Sequence, residues 1–125
     1  MEFRLVPDCP PEHHFFRSEW ESESWGAVTV YVDTGSATAV GREQRAFIDE
    51  ILTHLDGLIE QASAEVASCL GGHADVPELI FREPSVWEIR LAECDAQGCQ
   101  GLGVLVEYDD HEMSEVVPLD DSEEL

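Results

Sequence analysis

The stretch GREQRAFIDEILTHLDGLIEQASAEVASCLGG, Gly41–Gly72, decides how the rest of the chain is read. Its apolar residues Ile48, Ile51, Leu55, Leu58, Ala62, Val66 and Cys69 recur at three- or four-residue spacing. That period stacks them on one face of an α-helix. Phe47, Leu52, Ile59 and Leu70 widen the stripe, and Glu43, Asp49, Glu50, Thr53, Asp56, Glu60, Gln61 and Glu65 take the opposite face. Gly71-Gly72 close the helix, because glycine accepts the left-handed backbone that helix C-termini need. Gly57 stands inside it at a cost of about 1 kcal/mol relative to alanine. One long helix is expected, from Thr38 or Gly41 to Leu70.

On both sides of this helix the period is two. Upstream, Phe3–Val6 reads as a short strand closed by Pro7 and Pro10-Pro11, and His13–Trp20 reads as extended. Trp25–Asp33 places Val28, Val30 and Val32 on one face and Ala27, Thr29 and Tyr31 on the other. It stops at the turn signal Asp33-Thr34-Gly35. After Pro77 the alternation returns. Ser85–Glu93 points Trp87, Ile89 and Leu91 toward the core, and Leu102–Tyr108 and Ser114–Leu119 follow as strands. Strands joined by short turns pair antiparallel, and one amphipathic helix needs one apolar sheet face to cover. The expected fold is a two-layer α+β domain over residues 1–119, in the order β-β-β-α-β-β-β, with the helix across one face of a mostly antiparallel sheet. The acidic tail 120–125 follows it.

Composition bounds the partners. The chain of 125 residues holds 28 acidic residues against six arginines and no lysine, for a formal net charge of −22. Such a charge attracts basic partners and repels phosphates and anionic lipid. Six arginines cannot build a basic track for nucleic acid. With 43% hydrophobic residues the chain is not a disordered acidic tail. The start Met1-Glu2-Phe3-Arg4-Leu5 lacks the apolar stretch of a secretory signal, and apolar runs such as Ala27–Val32 and Leu102–Val106 are too short to span a bilayer. A soluble cytoplasmic protein is the expectation. Two compositional causes compete with a selected acidic surface: a G+C-rich genome, which would explain the missing lysines but not the scarce arginines, and adaptation to high salt.

No catalytic pattern stands out. Cys9, Cys69, Cys94 and Cys99 read as free thiols, with Cys69 buried on the helix. Cys94 and Cys99 could donate two thiolates to zinc only with help from Cys9, His73 or His111, so no metal site and no cofactor are expected. His54 reads as a partly buried packing residue. No histidine lies in a nucleophile–base pattern, and Ser18, Ser22 and Ser24 show no nucleophile elbow. Gly101-Leu102-Gly103 opens a strand rather than a helix, so a bulge or tight turn into Val104–Val106 is expected. Enzymatic activity is not expected.

The segment CDAQGCQGLGVLVEYDDHEMSEV, from Cys94 to Val116, resembles the C-terminal hairpin of small bacterial α+β domains. Some of these are immunity proteins of polymorphic toxin systems. Those domains often carry tryptophan–aspartate–x–glutamate–histidine–glycine–leucine–glycine between two late strands. Asp95 and Gly101-Leu102-Gly103-Val104 match that stretch, with Cys94 at the tryptophan position and Cys99-Gln100 where the acid–histidine pair stands. The valine-rich strand and the helix start Gly41-Arg42-Glu43-Gln44 are also similar, so the likeness covers residues 25–119 in outline. It implies a fold and a genomic style more than an activity, since fold alone does not give function.

Together these readings lead to a non-enzymatic acidic binding protein, an immunity or inhibitor protein that neutralises a basic toxin or nuclease, as monomer or homodimer. Alternatives are a nucleic-acid mimic that blocks a DNA-binding protein, and a housekeeping domain with compositional acidity. Expected contact carboxylates are Glu19, Glu21 and Glu23 in the first polar connection and Asp109, Asp110 and Glu112 in the late turn. Trp20 and Trp25 are the expected aromatic anchors, and Trp87 is assigned to the core.

Overall fold

The strand periodicity builds a single sheet. The computed structural model describes residues 2–72, 74–82, 86–94 and 103–118. Its elements are β1 (Arg4–Leu5), β2 (Phe15–Ser22), β3 (Gly26–Asp33), α1 (Arg42–Thr53), α2 (Leu55–Leu70), β4 (Ala74–Phe81), β5 (Val86–Cys94), β6 (Val104–Asp109) and β7 (Glu112–Pro118). The strands lie in chain order across one seven-stranded sheet. Neighbours are antiparallel except β3 and β4, which are parallel. A parallel pair cannot be closed by a tight turn. Both helices form the crossover that joins it.

The register sorts the side chains into two faces. Phe16 lies beside Val32, Val32 beside Phe81, Phe81 beside Trp87, and Trp87 beside Tyr108. One step along the strands, Val30, Leu79, Ile89, Val106 and Val116 form a parallel row. The helices cover this face and bury Ile48, Ile51, Leu52, Leu55, Ile59, Ala62 and Val66 against it. Phe81, Trp87 and Tyr108 stack in sequence, with ring centroids 5.5 and 4.4 Å apart and planes within 16°. Phe47 of α1 meets Phe81 edge-on at 6.2 Å. Each such pair adds about 0.5–1.5 kcal/mol beyond its buried area. The polar ends of the stack are also satisfied: Trp87 Nε1 donates to the Asp110 carbonyl at 2.7 Å, and Tyr108 Oη to the Leu58 carbonyl at 3.4 Å.

The two-layer α+β fold is the expected one, with two differences in its parts. The helix is divided at His54, whose N–H bonds the Ile51 carbonyl at 3.0 Å, three residues back. Thr53 next to it bonds back to the Asp49 carbonyl at 2.9 Å, a side-chain contact that bends helices. The stripe keeps its phase across the break, with Leu55, Ala62 and Val66 buried as expected. Beyond it Ile59 is buried and Leu58 only half-buried, Cys69 is exposed rather than buried, and His54 is exposed rather than packed. The second difference is β4. No strand is expected between the helix and Ser85, yet Ala74–Phe81 pairs with both β3 and β5 and holds Pro77 inside it. Pairing with β3 starts at Glu78, so Pro77 sits at the open end of that ladder. The residue before it, Val76, takes φ +59, a conformation that is strained for a β-branched side chain.

Turn chemistry follows the sequence. Gly71 caps α2 at φ +74. Asp33 Oδ1 accepts the Gly35 N–H at 2.9 Å. Gly103 enters β6 at φ +93, where a Cβ would stand 2.3 Å from the Leu91 carbonyl oxygen. Gly101, Leu102, Asp95 and the tail 120–125 lie outside the described residues.

Two outcomes follow from this packing. Gly103→Ala lowers unfolding free energy by about 1–3 kcal/mol from the left-handed backbone, with the carbonyl clash in addition. The exposed helical Gly57→Ala raises it by about 0.5–1 kcal/mol, and urea denaturation reads both. Burial also pushes the Tyr108 hydroxyl up from 10.0 to about 12. The folded state therefore holds its proton while the unfolded chain loses it, so stability is intact below pH 10 and falls as pH rises toward 12. Tyr108→Phe removes this part of the alkaline decline in a pH series of thermal melts.

Candidate functional site

The hairpin between β2 and β3 is locked by one hydroxyl. Ser22 Oγ accepts the N–H groups of Ser24 and Trp25 at 3.2 and 3.0 Å, and donates to Asp56 Oδ1 at 2.5 Å. Serine closes such turns by bonding its own following backbone. Asp56 belongs to the first turn of α2, where the helix dipole favours a carboxylate. The lock pins the hairpin to the junction of the two helices. Ser22 is saturated by these bonds and donates straight to a carboxylate, with no histidine between them, so the arrangement is a structural clasp rather than a nucleophile.

Beside the clasp opens a cleft of about 620 Å³, lined by Trp20, Glu21, Glu23, His54, Asp56 and Gly57 among others. Glu21 and Glu23 are exposed, and Trp20 is half-buried against the core. A partly covered indole rimmed by carboxylates suits a guanidinium or ammonium group, which gains both ion pairing and attraction to the ring face.

The structure gathers only part of the expected site. Trp20, Glu21 and Glu23 share the cleft. Trp25 is half-buried and packs against the core edge. Glu19 lies on the sheet face away from the helices, 3.7 Å from Arg17. Asp109, Asp110 and Glu112 stand at the β6–β7 turn. That turn is at the opposite end of the strands, since Ser22 pairs with Gly26 where β3 begins and Asp109 pairs with Val86 where β5 begins. Asp110 takes φ +56 and its carboxylate lies 2.7 Å from His111 Nδ1. The other ring nitrogen of His111 is 3.9 Å from Glu50. The two carboxylate clusters therefore form two separate patches. Asp56 and the Ser22 clasp were not singled out by the sequence reading. The two residues are 34 positions apart, and nothing local in either stretch signals their meeting.

Two of the four cysteines have described side chains, and each thiol lies beside a local acceptor. The Cys9 thiol is directed to the Val6 carbonyl at 3.0 Å. Cys69 donates to Glu65 at 3.2 Å, and that carboxylate pushes the thiol above its ordinary range, away from reactivity. The Cys94 side chain, Cys99 and His73 lie outside the described residues. Among the described residues no group of three His, Cys, Asp or Glu is placed to hold a metal ion. No described helix is long and apolar enough to cross a membrane.

Comparison with protein-family models, with curated proteins and with solved structures gave no match.

Removing the clasp tests the architecture of the cleft. Ser22→Ala leaves two part-buried N–H groups and one face of Asp56 without this partner, and lowers stability by about 1 kcal/mol. A double-mutant cycle with Asp56→Ala in urea denaturation reads a coupling of about 1 kcal/mol if the two residues act as one unit. Additive losses would place their roles elsewhere.

Proposed function

We propose that this chain is a non-enzymatic binding protein that inhibits a basic protein, in the manner of an immunity protein acting on a cationic toxin or nuclease in the cytoplasm. The observation that carries this reading is the cleft at the helix junction, which the half-buried Trp20 lines together with Glu21, Glu23 and Asp56. A partner arginine or lysine enters it as an anchor, and the indole supplies a rigid contact surface. Net charge supports the same reading. At −22 the chain draws a cationic partner into encounter from a distance, and the cleft then fixes register. The resemblance of the C-terminal hairpin to that of immunity domains points the same way.

The second carboxylate patch, Asp109, Asp110 and Glu112, serves as steering charge in this account rather than as the anchor. It sits on an exposed turn, and the hollow of about 350 Å³ that Asp109 borders also carries Arg82, which opposes a cationic anchor there. Charges at a rim change association rates and salt dependence more than they change dissociation.

The experiment is capture of basic proteins by immobilised wild type beside a Glu21→Arg/Glu23→Arg variant, followed by binding kinetics on the protein captured. The expected result is a partner lost by the variant, with affinity at least ~10-fold weaker. Reversal of Asp109, Asp110 and Glu112 lowers mainly the on-rate, and that loss shrinks as salt rises. Binding that is unchanged by the Glu21/Glu23 reversal, or insensitive to salt, overturns the proposal.

A further inference from the structure

The sheet face away from the helices carries a charge row with a direction. Its members follow from the register: Arg4 beside Arg17, Arg17 beside Tyr31, Tyr31 beside Ile80, Ile80 beside Glu88, Glu88 beside Glu107, and Glu107 beside Glu115. One residue comes from each strand, β1 to β7. The row begins with two arginines, passes an apolar centre, and ends with three carboxylates on adjacent strands. Like charges directly opposite one another oppose pairing. Arg82 relieves one of them, at 2.7 Å from Glu88. Glu107 keeps the strain: its carboxyl is pushed above the usual range by burial, then by Glu115 and Glu88, against the pull of Arg82.

This face is also unlike a solvated one. An antiparallel sheet with one wet side alternates apolar in and polar out. Here the outward positions include Tyr31, Ile80, Leu105 and Val117, all half-buried, and Val86, 40% exposed. Arginine is concentrated here as well. Of six in the chain, Arg4, Arg17 and Arg90 occupy outward strand positions and Arg82 reaches over Glu88. Arg17–Glu19 at 3.7 Å and Arg90–Glu78 at 3.6 Å neutralise further carboxylates. The acidic helix residues Glu43, Asp49, Glu50, Glu60 and Glu65 belong to the other layer.

We propose that this face is the interface of a homodimer whose twofold axis runs along β4. Face-to-face packing requires an axis in the plane between the sheets. An axis across the strands would set Arg4 and Arg17 over their own copies. An axis along the central strand reverses strand order, so β1 meets the partner's β7 and β2 the partner's β6. Arg4 then lies over Glu115 of the partner subunit and Arg17 over Glu107 of the partner subunit. Tyr31 covers Glu88 of the partner subunit, and Ile80 meets its own copy at the axis. A row of seven is self-complementary in this one arrangement, as an isologous interface demands. Aligned packing of two sheets accommodates it. Glu78 shares β4 with Ile80 and so also lies on the axis over its own copy, where Arg90 of its own chain, 3.6 Å away, offsets the like charge. Seven strands span about 29 Å, and strands of this length give a face on the order of 600 Å² per protomer. That meets the lower bound of about 1,200 Å² in total for a specific interface. The acidic helices point away from each other in this dimer.

Sedimentation equilibrium on the full chain tests the proposal, with circular dichroism to verify folding of each variant. Wild type is expected at twice 13.9 kDa. Arg17→Glu alone and Glu107→Arg alone each replace two ion pairs with two like-charge contacts and weaken dimerisation at least ~10-fold. An equimolar mixture of the two variants restores the dimer, because both contacts between unlike protomers are again of opposite charge. The double variant in one chain restores it too. A monomeric wild type overturns the proposal. So does a dimer that both single reversals leave intact, or one that the mixture fails to restore. The charge row that these variants alter contains no cleft residue, so failure of either proposal leaves the other standing.

Discussion

The parallel pairing of β3 with β4 governs this molecule. Val30 lies beside Leu79 and Val32 beside Phe81 in the middle of an otherwise antiparallel sheet. Two parallel neighbours oblige the intervening chain to leave the sheet, travel its length and return. Both helices are spent on that return, and both lie on one layer. The apolar face of every strand is therefore turned the same way. The other face is left without a cover, and the helix junction is brought beside the β2–β3 hairpin, where the Ser22–Asp56 bond fastens it. Fold, cleft and open face all descend from this one seam.

The layer between sheet and helices accounts for the cooperativity of the domain. The Phe81–Trp87–Tyr108 stack crosses three strands, and Phe47 closes it from α1. Its polar tips reach the β6–β7 turn and α2, so the stack links sheet, turn and helix rather than filling space alone. No buried side-chain N or O among the described residues is left without a hydrogen-bond partner. A chain so strongly charged folds because its carboxylates lie outside this layer. Glu88 is buried at 6% exposure on the opposite face of the sheet, and Arg82 pairs with it there.

Much of this was legible in the residues. Period-two alternation in Gly26–Asp33 and Val86–Cys94 named the inward faces correctly, Trp87 included, because burial of one sheet face leaves little freedom in register. Gly71 announced the helix end for a steric reason that needs no context. β4 was hidden because Pro77 argues against a strand unless the neighbouring ladder is known to start beyond it. The break at His54 was hidden because Ile51, Leu52 and Leu55 continue the apolar period across it. Cys69 lies in the last turn of α2, and the burial of the stripe ends at Val66. The site was only partly legible. Trp20, Glu21 and Glu23 stood out as an aromatic among acids, but Asp56 looked like any carboxylate on a polar helix face. Its distance in sequence from Ser22 conceals that they touch. The six expected carboxylates looked equivalent along the chain, and only strand direction reveals that they occupy opposite ends.

The account thus divides the charges by location. In the two proposals Arg4, Arg17, Arg82 and Arg90 serve the open sheet face, while Arg42 and Arg45 belong to α1, and the carboxylates of the hairpin and helix junction serve recognition. A direct measurement of the second half is an NMR titration of the ¹⁵N-labelled protein with a short arginine-rich peptide at low salt. The account predicts saturable shifts confined to the Trp20 indole, the Glu21–Trp25 amides and the His54–Leu58 amides, which are absent in the Glu21→Arg/Glu23→Arg variant. Shifts spread evenly over all acidic surfaces without saturation would contradict it, and would mean that the charge attracts basic groups everywhere and selects none.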